Sequence, residues 1–181
     1  MTPVTLTLAD ARYPARLRER LGNDVPVTRS ALGNLDLLAL RKTALFCSAR
    51  CPGAAILRTH DQAARWRDAG RCIISGFHSP VEKECLDILL RGKPPVIICL
   101  ARSLEKLRLP AAWQGSLNEG RLLILSCFPP GHPRVTAELA VRRNLFVAAL
   151  ADEVWFAHIT PGGRMERLSW RVSDWGIKRT P

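Results

Sequence analysis

The sequence has no long hydrophobic run, few acids and little that would anchor a catalytic or metal centre, and each shortage narrows what it can be. Its longest apolar runs fall far short of the ~20 residues that cross a bilayer. The start Met1-Thr2-Pro3-Val4 lacks the charged opening of a signal peptide, so a cytoplasmic protein without a membrane span is expected. The six cysteines (47, 51, 72, 85, 99 and 127) sit mostly inside or beside apolar runs, a pattern of reduced, buried thiols rather than of a disulfide framework. Cys47-x-x-x-Cys51 invites a metal reading, but no second Cys or His pair accompanies it, and neither metal nor cofactor is expected. There is no Ser-His-acid set with a nucleophile elbow and no complete phosphate-binding loop. His78 with Glu82 or Glu84 is then the best acid/base candidate, and a non-catalytic protein is the expectation. Internal repeats and low-complexity tracts are absent as well.

Basic residues, by contrast, are abundant. Lys and Arg number 27 against 16 Asp and Glu, a formal net charge of +11 in 181 residues. Codon preference can explain why 22 of the 27 are Arg, but not the excess over acids. The excess points to an anionic partner, nucleic acid first and an acidic membrane surface second, and no basic amphipathic tail supports the membrane. The length and the 47% hydrophobic content suit one α/β domain with a sheet covered on both faces.

The local pattern is clearest from Arg71 to Glu82, where an apolar run stops at Ser75-Gly76 and a helix starts four residues later. Ser79 suits the N-cap, Pro80 the first helical position and Glu82 the third, which completes a capping box. Further apolar strands are expected at 43–47, 96–100, 121–126 and 153–159, separated by helices, with a short terminal strand near Ile177. Residues 1–42 read as a lead-in of short helical pieces, and 43–181 as the main domain. Apolar, non-alternating strands alternating with helices indicate a doubly wound, mostly parallel sheet of about five to six strands. Ligands of such sheets bind beyond the carboxyl ends of the strands, which singles out loops 48–52, 75–79, 101–103, 126–134 and 160–163.

Within 139–150 the apolar side chains cover every face of a helix, so Arg142, Arg143 and Asn144, turned about 100° from one another, cannot all be solvated. A half-buried Arg needs an anion or a cluster of carbonyls, unless it pairs with Glu138 or Glu82. The loop Ser75-Gly76-Phe77-His78 offers a hydroxyl, a glycine that admits a ligand to the backbone, and a ring that could stack on a base. Gly162-Gly163 ahead of a helix could cradle a phosphate, or could simply turn the chain.

Taken in order, these residues resemble the DNA-processing protein A (DprA, also Smf) family, over roughly residues 13 to 159. Tyr13-Pro14-x-x-Leu17 with Gly33-Asn34-Leu35 is similar to its Tyr-Pro lead-in, Ser48-x-Arg50 to its Gly-Ser-Arg loop, Ile74-Ser75-Gly76 to its Ser-Gly loop, and Arg143-Asn144 to its Arg-Asn-Arg signature. The resemblance implies a Rossmann-like fold and a positively charged pocket for single-stranded DNA, to which its matched loops bring Ser48, Arg50, Ser75, Gly76, Arg143 and Asn144; the loop and helix readings above add Phe77, His78, Arg142, Gly162 and Gly163 to the expected DNA- or phosphate-binding residues. It further implies a homodimer, a RecA-type recombinase as partner, and a role in recombination or natural transformation. The departures are Cys47 where the family has Gly, Phe77-His78-Ser79-Pro80-Val81-Glu82 where it has Gly-Ala-x-Gly-Ile-Asp, and Leu145 in place of the second Arg. The chain also ends without the winged-helix module frequent in the family, which reads as a divergent single-domain relative. The LOG enzymes share the wider fold group and suggest the alternative, an enzyme or sensor for a nucleotide-derived small molecule. Their Pro-Gly-Gly-x-Gly-Thr is only half present in Pro161-Gly162-Gly163.

Overall fold

The computed structural model describes residues 2–105 and 107–180. Among these, eight strands and six α-helices follow one another: β1 (Val4–Thr7), α1 (Ala15–Leu21), β2 (Thr28–Gly33), β3 (Lys42–Cys47), α2 (Gly53–Asp68), β4 (Cys72–Ser75), α3 (Pro80–Leu90), β5 (Val96–Leu100), α4 (Ala111–Asn118), β6 (Leu122–Ser126), α5 (Ala137–Leu150), β7 (Glu153–His158), α6 (Arg164–Asp174) and β8 (Lys178–Arg179). One sheet holds them in the order β1-β2-β6-β5-β4-β3-β7-β8. The six strands from β6 to β8 in that order pair in parallel, while β1–β2 and β2–β6 are antiparallel.

Every residue of β3, β4 and β6 is buried, as covering both faces requires. Leu45, Ile73 and Ile98 turn one way, into a core with Trp66 of α2, Cys85 and Leu89 of α3 and Leu117 of α4. Phe46, Ile74 and Cys99 turn the other way, into a core with Leu17 of α1, Phe146 and Val147 of α5 and Leu168 of α6. The chain runs outward from β3 through β4 and β5 to β6, then returns to lay β7 on the other side of β3. The sheet therefore changes direction between β3 and β7, and a crevice opens beyond their carboxyl ends.

The doubly wound α/β architecture is as expected, but the sheet has eight strands rather than five to six. Residues 1–42 are not only short helical pieces, since β1 and β2 extend the sheet beyond β6. Parallel strands show as continuous apolar runs, whereas these are antiparallel and alternate. In β1 only Leu6 is buried, and β2 sends Arg29 into the core. The Arg29 guanidinium lies 3.8 Å from the centroid of the Tyr13 ring, and none of its nitrogens has a hydrogen-bond partner among the described residues.

Charges at the amino edge of the parallel strands are satisfied within the fold. Asp152 accepts from the Lys42 amide at 2.7 Å and from Arg16 Nη1 at 2.5 Å. Buried Glu153 accepts from Thr43 Oγ1 at 2.7 Å and pairs with Arg71, and Lys42 Nζ donates to the carbonyls of Leu38 (2.9 Å) and Leu40 (2.5 Å). None of the described helices is long and apolar enough to cross a membrane.

Candidate nucleic-acid interface

At the carboxyl edge, two loops are tied together by one carboxylate. Helix α3 begins with the expected capping box, Ser79 Oγ accepting from the Glu82 amide at 3.3 Å. Glu82 Oε2 accepts from the amides of Ser79 (3.1 Å) and His78 (2.8 Å), and Oε1 accepts from the Cys47 amide at 2.9 Å. Capping thus explains only part of Glu82, which also joins the end of β3 to the start of α3. A third exit is joined through Ser48, whose amide donates to the His158 carbonyl at 3.0 Å and whose Oγ accepts from the Thr160 amide at 3.0 Å.

Arg143 lies at the floor of the crevice and is 4% exposed. Its Nη1 donates to the Cys99 carbonyl at 3.1 Å and its Nε to Asn144 Oδ1 at 2.7 Å, and it forms no ion pair with any described acid. Burial lowers its pKa, and the nearby charge of Glu82 acts in the opposite direction. A guanidinium still keeps its proton in a protein. Gly76 makes this placement possible, because a Cβ there would overlap the Arg143 guanidinium. Its role is to admit an arginine of the same chain to the backbone, and the Ser-Gly loop and the Arg-Asn pair are two halves of one contact.

The crevice holds a cavity of about 540 Å³. It brings together Ser48, Arg50, His78, Arg143, Asn144 and Gly163 of the expected residues, with Arg50 and His78 exposed at the rim. Thr160 and Arg164 join them, the latter in the first turn of α6, whose N-cap Gly163 makes no side-chain capping bond. Neither was anticipated; the hydroxyl of Thr160 and the charge of Arg164, flanking a Gly pair ahead of a helix, were the available signal. The remaining expected residues lie elsewhere. Ser75 is buried, and its Oγ accepts from the Phe77 amide at 3.1 Å. Phe77, at φ 45°, turns its ring into the α2–α3 core, so it is not available to stack on a base. Arg142 points to the other side of α5, 5.6 Å from the Phe128 ring centroid, and lines a different cavity with Thr28 and Cys127. Gly162, at φ 72°, forms a turn whose amide donates to Glu166 Oε2 at 2.8 Å.

The family described as DNA recombination-mediator protein A matches residues 4–159. The chain belongs to this family. Two solved structures of family members are similar to it. DNA processing protein A from Streptococcus pneumoniae superposes with a TM-score of 0.79 at 22% identity, over 97% of this chain and 61% of that one. DNA processing protein A from Helicobacter pylori gives 0.75 at 19%, over 99% of this chain and 80% of that one. No curated protein matches the sequence. The chain thus spans about three fifths of the S. pneumoniae protein, and the two likenesses carry the fold. Within the family region lie Ser48, Arg50, His78, Glu82 and Arg143; Thr160, Gly163 and Arg164 lie beyond its last matched residue.

Proposed function

We propose that this DNA recombination-mediator protein A family member binds single-stranded DNA at the β3–β7 crevice, without catalysis, in DNA processing, recombination or natural transformation. One observation carries the reading: Arg143 is a buried cation facing a cavity, with no acid among the described residues paired to it. A carbonyl and an amide oxygen offset part of its desolvation, and a phosphate oxygen would supply the missing charge. Arg50 and Arg164 at the rim, the N-terminus of α6 without a side-chain cap and the +11 charge favour the same ligand. The H. pylori relative is described as binding single-stranded DNA, which supports the reading. In this reading the protein acts in the cytoplasm as a homodimer beside a RecA-type recombinase; light scattering and pull-down with the recombinase test those two parts separately.

The test of DNA binding is a fluorescence-anisotropy titration with a labelled oligonucleotide at several salt concentrations. Affinity should fall with a log–log slope of about −0.7 per neutralised phosphate. Salt-independent affinity, or no binding at micromolar protein, would remove the reading. A second reading, a nucleotide-derived small molecule, is favoured by the size of the cavity, about 540 Å³, which lies within the range of small-ligand sites. It predicts a thermal shift with nucleoside monophosphates in a protein that does not bind the oligonucleotide.

A further inference from the structure

Two thiols bracket the loop that supplies Ser48, Ala49 and Arg50 to the cavity. Cys47 ends β3, is 4% exposed and lines the cavity, with its amide fixed on Glu82 Oε1. Cys51 sits two residues before α2, packs against the core cluster that contains Cys47, and turns its thiol to the Pro52 carbonyl at 3.8 Å. Of the six free cysteines it alone is not buried; Cys72, Cys85, Cys99 and Cys127 lie within the core. An accessible sulfur packed on the same core as a buried one, four residues apart in sequence on either side of a short loop, is an arrangement in which oxidation of the first is trapped by the second.

We propose that Cys47 and Cys51 are a modification site for peroxides, closing a reversible disulfide that lowers the affinity of the crevice for its anionic ligand. The Cys51 sulfur attacks one peroxide oxygen, breaking the O–O bond and giving a sulfenic acid and one water or alcohol. The Cys47 sulfur then attacks the Cys51 sulfur, and the hydroxyl leaves as water with the Cys47 proton. Each sulfur has lost one electron and the two peroxide oxygens have gained two. Cys47 is the less accessible of the two sulfurs, and burial raises the pKa of its thiol, so it acts second. A disulfide holds its Cβ atoms about 3.5–4.5 Å apart, which draws residue 51 onto residue 47 and pushes Ala49 and Arg50 outward. Ser48 is anchored to the β7 exit by both its amide and its hydroxyl, so the strain falls on the rim arginine.

The effect on affinity rests on the DNA reading above, whereas the disulfide does not, and the experiment separates them. The full chain is treated with hydrogen peroxide, mapped by mass spectrometry, and titrated with a labelled oligonucleotide before and after dithiothreitol. The expected result is a Cys47–Cys51 linked peptide and roughly tenfold weaker binding, the loss of one charge-assisted contact, both reversed by the reductant. Cys51→Ser, outside the cavity lining, should bind as the reduced wild type does and ignore peroxide. No linked peptide, linkage to another cysteine, or an affinity loss that persists in Cys51→Ser would overturn the proposal. If the reduced protein does not bind DNA at all, that reading falls by itself. The peptide map, together with slower tryptic cleavage after Arg50 in the oxidised chain, then decides the disulfide. A missing linked peptide with unchanged cleavage rejects it.

Discussion

A guanidinium removed from water without an acid beside it costs several kcal/mol, and the residues around Arg143 show how that cost is held. Its partners, the Cys99 carbonyl and Asn144 Oδ1, are neutral acceptors, and Gly76 leaves room for the planar guanidinium to lie against the β4 exit. Gly76→Ala should therefore mimic the loss of Arg143, by moving the guanidinium off Cys99 without touching any ligand. In a double-mutant cycle with Arg143→Ala the two effects on DNA affinity should fail to add, since they act on one contact; additive losses would separate the two residues. Glu82 is different in kind, because its two oxygens take three backbone amides from two loops. Glu82→Gln weakens acceptance on one side and should cost about 1–3 kcal/mol of stability through stranded amides, visible as a lower melting temperature. An unchanged melting temperature would mean that the loops hold their shape without it. That one of the polar trio in α5 must enter the interior was legible from helical geometry. Which one, and that Gly76 lies against it, was not, because the contact joins positions far apart in the chain.

At the scale of elements, the parallel strands and their helices were readable because burial on both faces leaves unbroken apolar runs, and because Ser79, Pro80 and Glu82 mark a helix start locally. Strands β1 and β2 were not, since edge pairing is compatible with Val-Thr-Leu-Thr and with a core arginine that no pattern anticipates. Arg29 offers a test. Among the described residues its guanidinium has no hydrogen-bond partner, and the Tyr13 ring lies against it. Burial lowers its pKa, with Tyr13 opposing. Arg29→Met keeps the stem and removes the unsatisfied charge, and should leave the melting temperature equal or raise it by a few degrees, about 1 kcal/mol for a chain of this size. A clear drop would show that the cation–ring contact stabilises the edge more than the desolvation costs. The amino edge gives a pH dependence. Burial would raise the pKa of Asp152, but the Lys42 amide, Arg16 and the Lys42 charge outweigh it and hold the carboxyl below its ordinary value. A depressed carboxylate contributes stability that is complete above its unfolded value of about 3.9 and is lost as pH falls through the folded one. The melting temperature of the wild type should accordingly fall more steeply than that of Asp152→Asn below about pH 4; parallel curves would remove Asp152 from the account.

For the whole molecule, the charge is distributed by edge. Cations at the amino edge are absorbed by Asp152, Glu153 and backbone carbonyls, while at the carboxyl edge Arg50, Arg143 and Arg164 surround a cavity whose single acid, Glu82, is occupied by amides. Net charge alone pointed to a polyanion, and the chain order of short motifs pointed to the family, yet only the fold separates Arg143 from Arg142 and adds Thr160 and Arg164. The central claim is that Arg143 is a ligand-facing cation rather than a structural one. It is tested most directly by measuring single-stranded DNA affinity and melting temperature together for Arg143→Ala beside the wild type. The account predicts an affinity loss of about 1–3 kcal/mol with a salt slope shallower by one phosphate, and a melting temperature that is unchanged or higher. Wild-type affinity, or a fall in melting temperature matching the ~3–5 kcal/mol of a broken buried ion pair, would contradict it.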